Sequence, residues 1–487
     1  MKRYLTLGVC LVLGILFVLL FSNTTSPLFP YSYTTDSSAY MLFGKSVVMG
    51  KFPYVDIWEM KGPAIFYIEA LGFWLTSSKM GVCIIQMLLM CLTFFGAYKI
   101  YHLELSHKVS LGLIFFTGLS LVMNYQSGNF IEEFTLPLLG LSTYFLYKWS
   151  LVPKHDGLPW HDPRYAIVYG VVLGFSLVTR LTDALGICGA VLVIIIYLMI
   201  HQQWKNLFQN ALYYLLGFFA VVLPFCIYFY AHDALYEMWY GTFIFNLSYT
   251  AESTVGGITD LSSLKGFLVA FVNSYALFFV GLAVLLLNPT RRLAASMWMM
   301  MGGLLFLWYI NSNGYGHYGM LALFSTCIIL NEVHALMKVE STRKRLAGKA
   351  IGTLYVMFIA FFGFWGCLSQ YQNRNSRFDE YDVLAELTAM VPEKDKDAFV
   401  AYSVNPSVYH IGGMLPCYKY PGSQDWLMGM NKDHYKRVYA EYESLKAKWI
   451  LVNHKSKTGE VKILPVLNVH YEIVMEKDKF VLYKLKD

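Results

Sequence analysis

Residues 63–76 read PAIFYIEALGFWLT, and the topology of the whole chain turns on them. The run is apolar but falls short of the roughly 20 residues an α-helix needs to cross the hydrocarbon core. It also carries Glu69. A short apolar helix of this kind suits the membrane–water interface rather than the bilayer interior. Charge decides between the two. Longer apolar runs occur near 4–21, 80–98, 109–127, 134–150, 165–180, 184–201, 208–230, 265–287, 294–311, 318–337 and 350–370, about eleven in all. With the N-terminus inside and 63–76 not crossing, the cytoplasmic breaks collect Lys2, Arg3, Lys99, Lys108, Lys148, Lys154, Arg164, Lys205, Arg291, Arg292, Lys338, Arg343, Lys344, Arg345 and Lys349. The outer breaks hold only Lys45, Lys51, Lys61, Lys79, Arg180 and Lys265. That is the excess of cytoplasmic Lys and Arg that orients membrane proteins. If 63–76 crossed, every later loop would change sides and the bias would reverse.

Composition agrees. Of 487 residues, 56% are hydrophobic and 14% charged, against roughly 25% charged in a soluble domain. The net charge of +6 reflects topology sorting and points to no nucleic-acid partner. The eight cysteines form no CxxC and no Cys/His cluster, which argues against a disulfide scaffold or a structural zinc. Met1-Lys2-Arg3 followed by apolar residues to Phe21 has the shape of a signal peptide. The run is long and no small-x-small site follows closely, so a retained first helix is expected.

Beyond residue 370 the chain turns polar and rich in Lys, Asp, Glu and Tyr. AFVAYSV, WILVN and KFVLYKL have strand character, with a helical pattern over 432–446 between them. The expected fold is a polytopic α-helical membrane protein over 1–370, with about eleven transmembrane helices and an interfacial helix in the first outer loop. A small C-terminal α/β domain, 371–487, follows outside the cytoplasm.

The outer loops gather an unusual polar set. The first contributes Asp36, in TTDSSAY, then Asp56, Glu59 and Lys61. Later ones contribute Glu132 and Glu133, Arg180 and Asp183, then Glu237, Glu252 and Asp260, and finally Tyr315, His317 and Tyr318 in NSNGYGHYG. Polar groups at membrane depth are costly and face a protein interior or a water-filled cavity. The expectation is one outer-facing cavity in which carboxylates take a proton and cations hold a phosphate.

Each residue also has a plainer reading. Asp36 can be a helix N-cap. Lys61 can snorkel to lipid headgroups. Arg180 and Asp183, spaced i, i+3, can merely pair. Glu132 and Glu133 can open a helix, whose N-terminus favours acids. GYGHYG can be only a turn. Their clustering on one side of the membrane favours function.

Asp36 soon after the first helix, GKFPYVDIWEMKGPAIFYIEALG, GNFIEEFTLP, SLVTRLTDALGI and GYGHYGMLALFS together resemble the GT-C superfamily of membrane glycosyltransferases. The nearest branch is the bacterial relatives of protein mannosyltransferases and lipid A aminoarabinose transferases. The resemblance covers roughly residues 1–370 and implies an inner-membrane sugar transferase with a polyprenyl-phosphate sugar donor and a periplasmic active site. It implies Asp36 as the base, Lys61, Arg180, His317 and Tyr318 at the donor phosphate, and Glu132 and Glu133 as a second acidic motif that is catalytic with Asp36, one of the pair orienting the acceptor or binding a cation. Asp56, Glu59, Asp183 and Tyr315 are further cavity candidates. Asp36-Ser37 stands where many relatives have Asp-Glu, and Gly62-Pro63 where some have Pro-Pro. The acceptor (glycan, lipid or protein) and the use of a divalent cation therefore stay open. SVNPSVYHIGG, 403–413, resembles the tail of bacterial members but carries no recognisable chemistry. The competing class is a flippase or transporter of lipid-linked sugars. That class predicts broken, ionisable segments in matching places of two halves, and no such halving is visible.

Overall fold

The computed structural model describes residues 2–247, 261–374, 377–455 and 461–487. Glu252 and Asp260 lie outside them. The chain is mostly helical and packs as two compact units. The first comprises the described residues of Met1–Ser22, Cys83–Phe225 and Val255–Arg374. The second comprises those of Asn23–Val82, Cys226–Thr254 and Asn375–Asp487.

Among the described residues, seven helices are long and apolar enough to span a bilayer: Tyr4–Phe21, Lys79–Tyr101, His107–Tyr125, Leu181–Ile200, Trp204–Ala231, Pro289–Ile310 and Thr342–Gln372. Two bent pairs raise the number to nine if each is one span. These are Leu264–Ala270 with Val272–Leu287, and Gly316–Ala322 with Ser325–Met337. The remaining two apolar runs of the sequence fall on the helices Ile131–Leu151 and Pro163–Leu177. The first opens with two glutamates and the second has 15 residues, which sets both apart from ordinary spans.

In the second unit, the helix Thr35–Val48 starts after the extended Thr34 and gives way to Gly50 at φ +88°, a conformation that glycine reaches without a Cβ penalty. It packs on Ala64–Thr76, whose 13 residues give a length of about 20 Å. The two helices meet at Gly44, where any Cβ would come within 2.4 Å of the Glu69 Cβ. Met41, Phe73 and Val82 bury together. C-terminal strands form a four-stranded sheet in the order Phe399–Tyr402, Trp449–Asn453, Phe480–Leu485, Tyr471–Lys477. The first pair is parallel and the others antiparallel.

One buried cation of the first unit serves two acids. Arg291 bridges Glu104 and Glu332 and donates to the Tyr147 hydroxyl at 3.0 Å. Trp298 Nε1 donates to Glu332 at 3.1 Å while its ring stacks on Tyr147. Removing the cation would strand two acids, one of them fully buried. Arg291→Met is therefore expected to cost about 3–5 kcal/mol, read as a lowered thermal midpoint of the detergent-solubilised protein.

Candidate active site

Each unit brings some of the candidate residues together. In the first, the helix before the site ends at Leu177 and the next begins at Leu185. The break between them holds Arg180 in extended backbone and a turn of 3₁₀ helix, Leu181–Ala184. Arg180 Nη1 donates to Glu132, and its Nε lies 3.9 Å from Asp183. The Asp183 carboxylate also accepts from the Thr135 hydroxyl at 3.0 Å. The guanidinium lies over the ring of Tyr318 at 3.8 Å and of Trp308 at 5.2 Å. Such cation–π contacts hold the fork flat, and they strengthen where water is scarce.

His317 closes the cluster. Its Nε2 is 3.8 Å from Glu132 and its Nδ1 is 3.1 Å from the Gln126 amide oxygen. The ring is stacked between Phe130, at 4.3 Å, and Tyr315, at 5.6 Å. His317 and Tyr318 sit on the 3₁₀ turn Gly316–Ala322, entered through Gly314 at φ +65°.

Adjacent glutamates on one helix point about 100° apart, and here the pair divides its work. Glu132 faces Arg180 and His317. Glu133 turns the other way and accepts from Tyr125 Oη at 2.6 Å, Gln86 Nε2 at 2.8 Å and its own loop's Asn129 N–H at 2.9 Å. That loop runs through Gln126, Gly128 and Asn129, all at positive φ. It carries both Gln126 and Phe130, two of the residues that hold the His317 ring. Sequence reading found the charged members. It missed Gln86, Tyr125, Gln126, Phe130 and Trp308, which are neutral and give no charge-pattern signal.

In the second unit, Asp36 is exposed in the first turn of Thr35–Val48, next to the positive end of the helix dipole. Thr34, not Asp36, is the N-cap residue. Among the described residues the Asp36 carboxylate makes no hydrogen bond. Burial pushes the Glu59 carboxyl above its usual range. Lys61 opposes that shift and Asp36 adds to it, so the three lie within electrostatic reach of one another. The segment around Lys61 is fixed through its backbone. Tyr54 Oη donates to the Lys61 carbonyl at 2.5 Å, Asn246 Nδ2 to that of Met60 at 2.7 Å, and the Met60 N–H to Glu59 at 2.9 Å. Asp56 closes its own turn by accepting from the Phe52 N–H at 2.7 Å. Glu237 pairs with Lys419 and Arg437; burial alone would raise its pKa, but the two cations outweigh it and hold the carboxyl below its usual range.

The described residues offer no ready donor set for a divalent cation. Among the described residues no three Asp, Glu, His or Cys side chains are arranged to hold one. The three acids of the first cluster are already committed to Arg180, Thr135, Tyr125 and Gln86.

Residues 60–229 match the family model of dolichyl-phosphate-mannose-protein mannosyltransferases. The matched segment contains Lys61, Glu132, Glu133, Arg180 and Asp183. The fold is similar to that of ArnT from Cupriavidus metallidurans bound to undecaprenyl phosphate, with a TM-score of 0.59 and 10% identity, covering 99% of this chain and 97% of that one. It is also similar to the Archaeoglobus fulgidus oligosaccharyltransferase in its apo form, with a TM-score of 0.51 and 13% identity, covering 97% and 73%. Among curated proteins none matches the sequence. The family match over 60–229 and the similarity of fold bear out the resemblance to GT-C membrane glycosyltransferases read from the motifs.

Truncating Glu133 leaves the Tyr125 hydroxyl, the Gln86 amide and the Asn129 N–H facing an empty site. Glu133→Ala is expected to cost about 2–3 kcal/mol, with Glu133→Gln losing less because its amide oxygen still accepts. Thermal unfolding of the two variants in detergent checks the order.

Proposed function

We propose that the protein transfers a sugar from a polyprenyl-phosphate donor to a periplasmic acceptor, a glycan or lipid of the cell envelope, across the outer face of a bacterial inner membrane. The observation that carries this reading is the Arg180 cluster: a nearly buried guanidinium in a break between two apolar helices, flanked by His317, inside the segment that matches the mannosyltransferase family. A fixed cation in a low-dielectric setting is suited to the charge that grows on a departing phosphate. The fold neighbour ArnT, which binds undecaprenyl phosphate, supports a lipid-phosphate donor.

In the proposed step the acceptor hydroxyl oxygen attacks the anomeric carbon. The bond from that carbon to the phosphate oxygen breaks, and the lipid phosphate leaves with the bonding pair. Asp36 takes the hydroxyl proton. Lys61, Arg180, His317 and Tyr318 serve the phosphate, and one displacement inverts the anomeric centre. Glu132 orients Arg180. In this reading residues 1–370 form the catalytic part with eleven spans, Ala64–Thr76 lies in the outer interface, and 371–487 form an α/β domain on the periplasmic face.

A protein acceptor is the second reading, favoured by the family description over 60–229. Intact-mass analysis of envelope proteins from a deletion strain separates the two. Loss of a sugar mass from one or more proteins selects the protein acceptor, and unchanged masses select the glycan or lipid.

Asp36→Asn is expected to lower the turnover number by at least about 10²-fold, with membrane levels unchanged. The assay is sugar transfer from a synthetic polyprenyl-phosphate sugar by protein reconstituted in lipid nanodiscs. Near-normal turnover would remove Asp36 from the role of base.

A further inference from the structure

The segment SVNPSVYHIGG, 403–413, has no reactive role in the scheme above, yet it grips the turn that bears Asp36. His410 Nε2 bonds the Ser38 carbonyl at 2.9 Å, bridging residues 372 positions apart. Asn405 Nδ2 donates to the Thr35 hydroxyl at 3.2 Å. The two bonds land one residue before and two residues after Asp36. The ring of His410 also lies parallel to that of Tyr33, at 6.2 Å and 9°, just upstream of the helix. Thr34 provides no side-chain cap, so these two contacts, made to a carbonyl and a hydroxyl and not to the free N–H groups, hold the turn from outside. An uncapped first turn has unsatisfied N–H groups and frays readily.

We propose that His410 and Asn405 are positioning residues: the C-terminal segment clamps the first turn of Thr35–Val48 and so sets the direction from which Asp36 meets the acceptor. The partner of His410 is a carbonyl, so Nε2 must carry the proton and donate. Burial pushes the imidazole down to about 4, with the Ser38 bond opposing and Lys45 and Lys79 assisting the decrease. The ring is thus neutral at working pH and holds one tautomer. Displacements of about 1 Å at a reacting group can cost about 10² in rate, which makes such a clamp worth building.

The inference rests on Asp36 as the base, and the test keeps the two apart. His410→Phe retains the stacking on Tyr33 and removes the donor; His410→Gln restores an N–H at similar reach. Full-length protein in nanodiscs is assayed for transfer from the synthetic donor, and amide hydrogen exchange over residues 36–41 is followed on the same samples. The Phe variant is expected to lose about tenfold in kcat with KM for donor within about twofold of wild type, and to exchange faster over 36–41. The Gln variant is expected to recover both. Unchanged exchange in the Phe variant, or unchanged kcat beside an inactive Asp36→Asn, overturns the clamp. If Asp36→Asn stays active, the assignment of the base fails instead, and faster exchange in the Phe variant still supports the clamp as a structural contact. Should His410→Phe not yield folded protein, Asn405→Ala, which removes only the Thr35 bond, carries the same expectation at smaller amplitude.

Discussion

A charge placed among apolar helices needs a partner close by, and in the first unit two arginines supply it for four acids. Arg180 serves Glu132 and Asp183 at one end of the helix Ile131–Leu151. Arg291 serves Glu104 and Glu332 beside Tyr147, near the other end. About 15 residues at 1.5 Å each separate Glu132 from Tyr147 along the helix, roughly 22 Å. The bundle thus has a charged knot at each end. One knot is closed by the Trp298 N–H, which donates to Glu332, and by the Tyr147 hydroxyl, which accepts from Arg291, and this suits a fastening. The other has a stacked histidine on one flank and an exposed tyrosine beside it, which suits chemistry.

The same constraint explains how the acidic pair Glu132-Glu133 is used. Carboxylates side by side repel, and both are buried. The helix separates them by rotation. One is given to a guanidinium and the other to three neutral donors. The second of these arrangements stabilises a loop with successive residues at positive φ, a conformation that costs energy unless its surroundings fix it.

What was legible in the sequence follows from what repeats. Apolar runs of spanning length announce themselves, so the helices fall close to their expected places. The charged loop residues stand out against an apolar background. Three strand-like stretches from residue 398 onward coincide with strands, whereas Tyr471–Lys477 passed unnoticed because its apolar run is only three residues long, between charged neighbours. The bends at 271 and 323–324 were invisible, since no proline marks them. Neutral partners such as Gln126 and Phe130 were invisible for a different reason: their importance comes from tertiary neighbours far along the chain. Asp36 looked like a helix cap, but Thr34 has that place, one of the small boundary shifts that local sequence does not settle.

The second unit is stitched from stretches near the beginning, middle and end of the chain. Thr35 and Asn405, which bond in the finished protein, are 370 residues apart. At a synthesis rate of about 5–20 residues per second, roughly 20–75 s pass between the emergence of one and of the other. Throughout that interval an early helix exists without the late segment that completes its surroundings. Maturation is therefore a race between translation and any protease or holdase that meets the half-built body. A nonsense mutation between codons 375 and 400 would leave the apolar helices made and this unit permanently open.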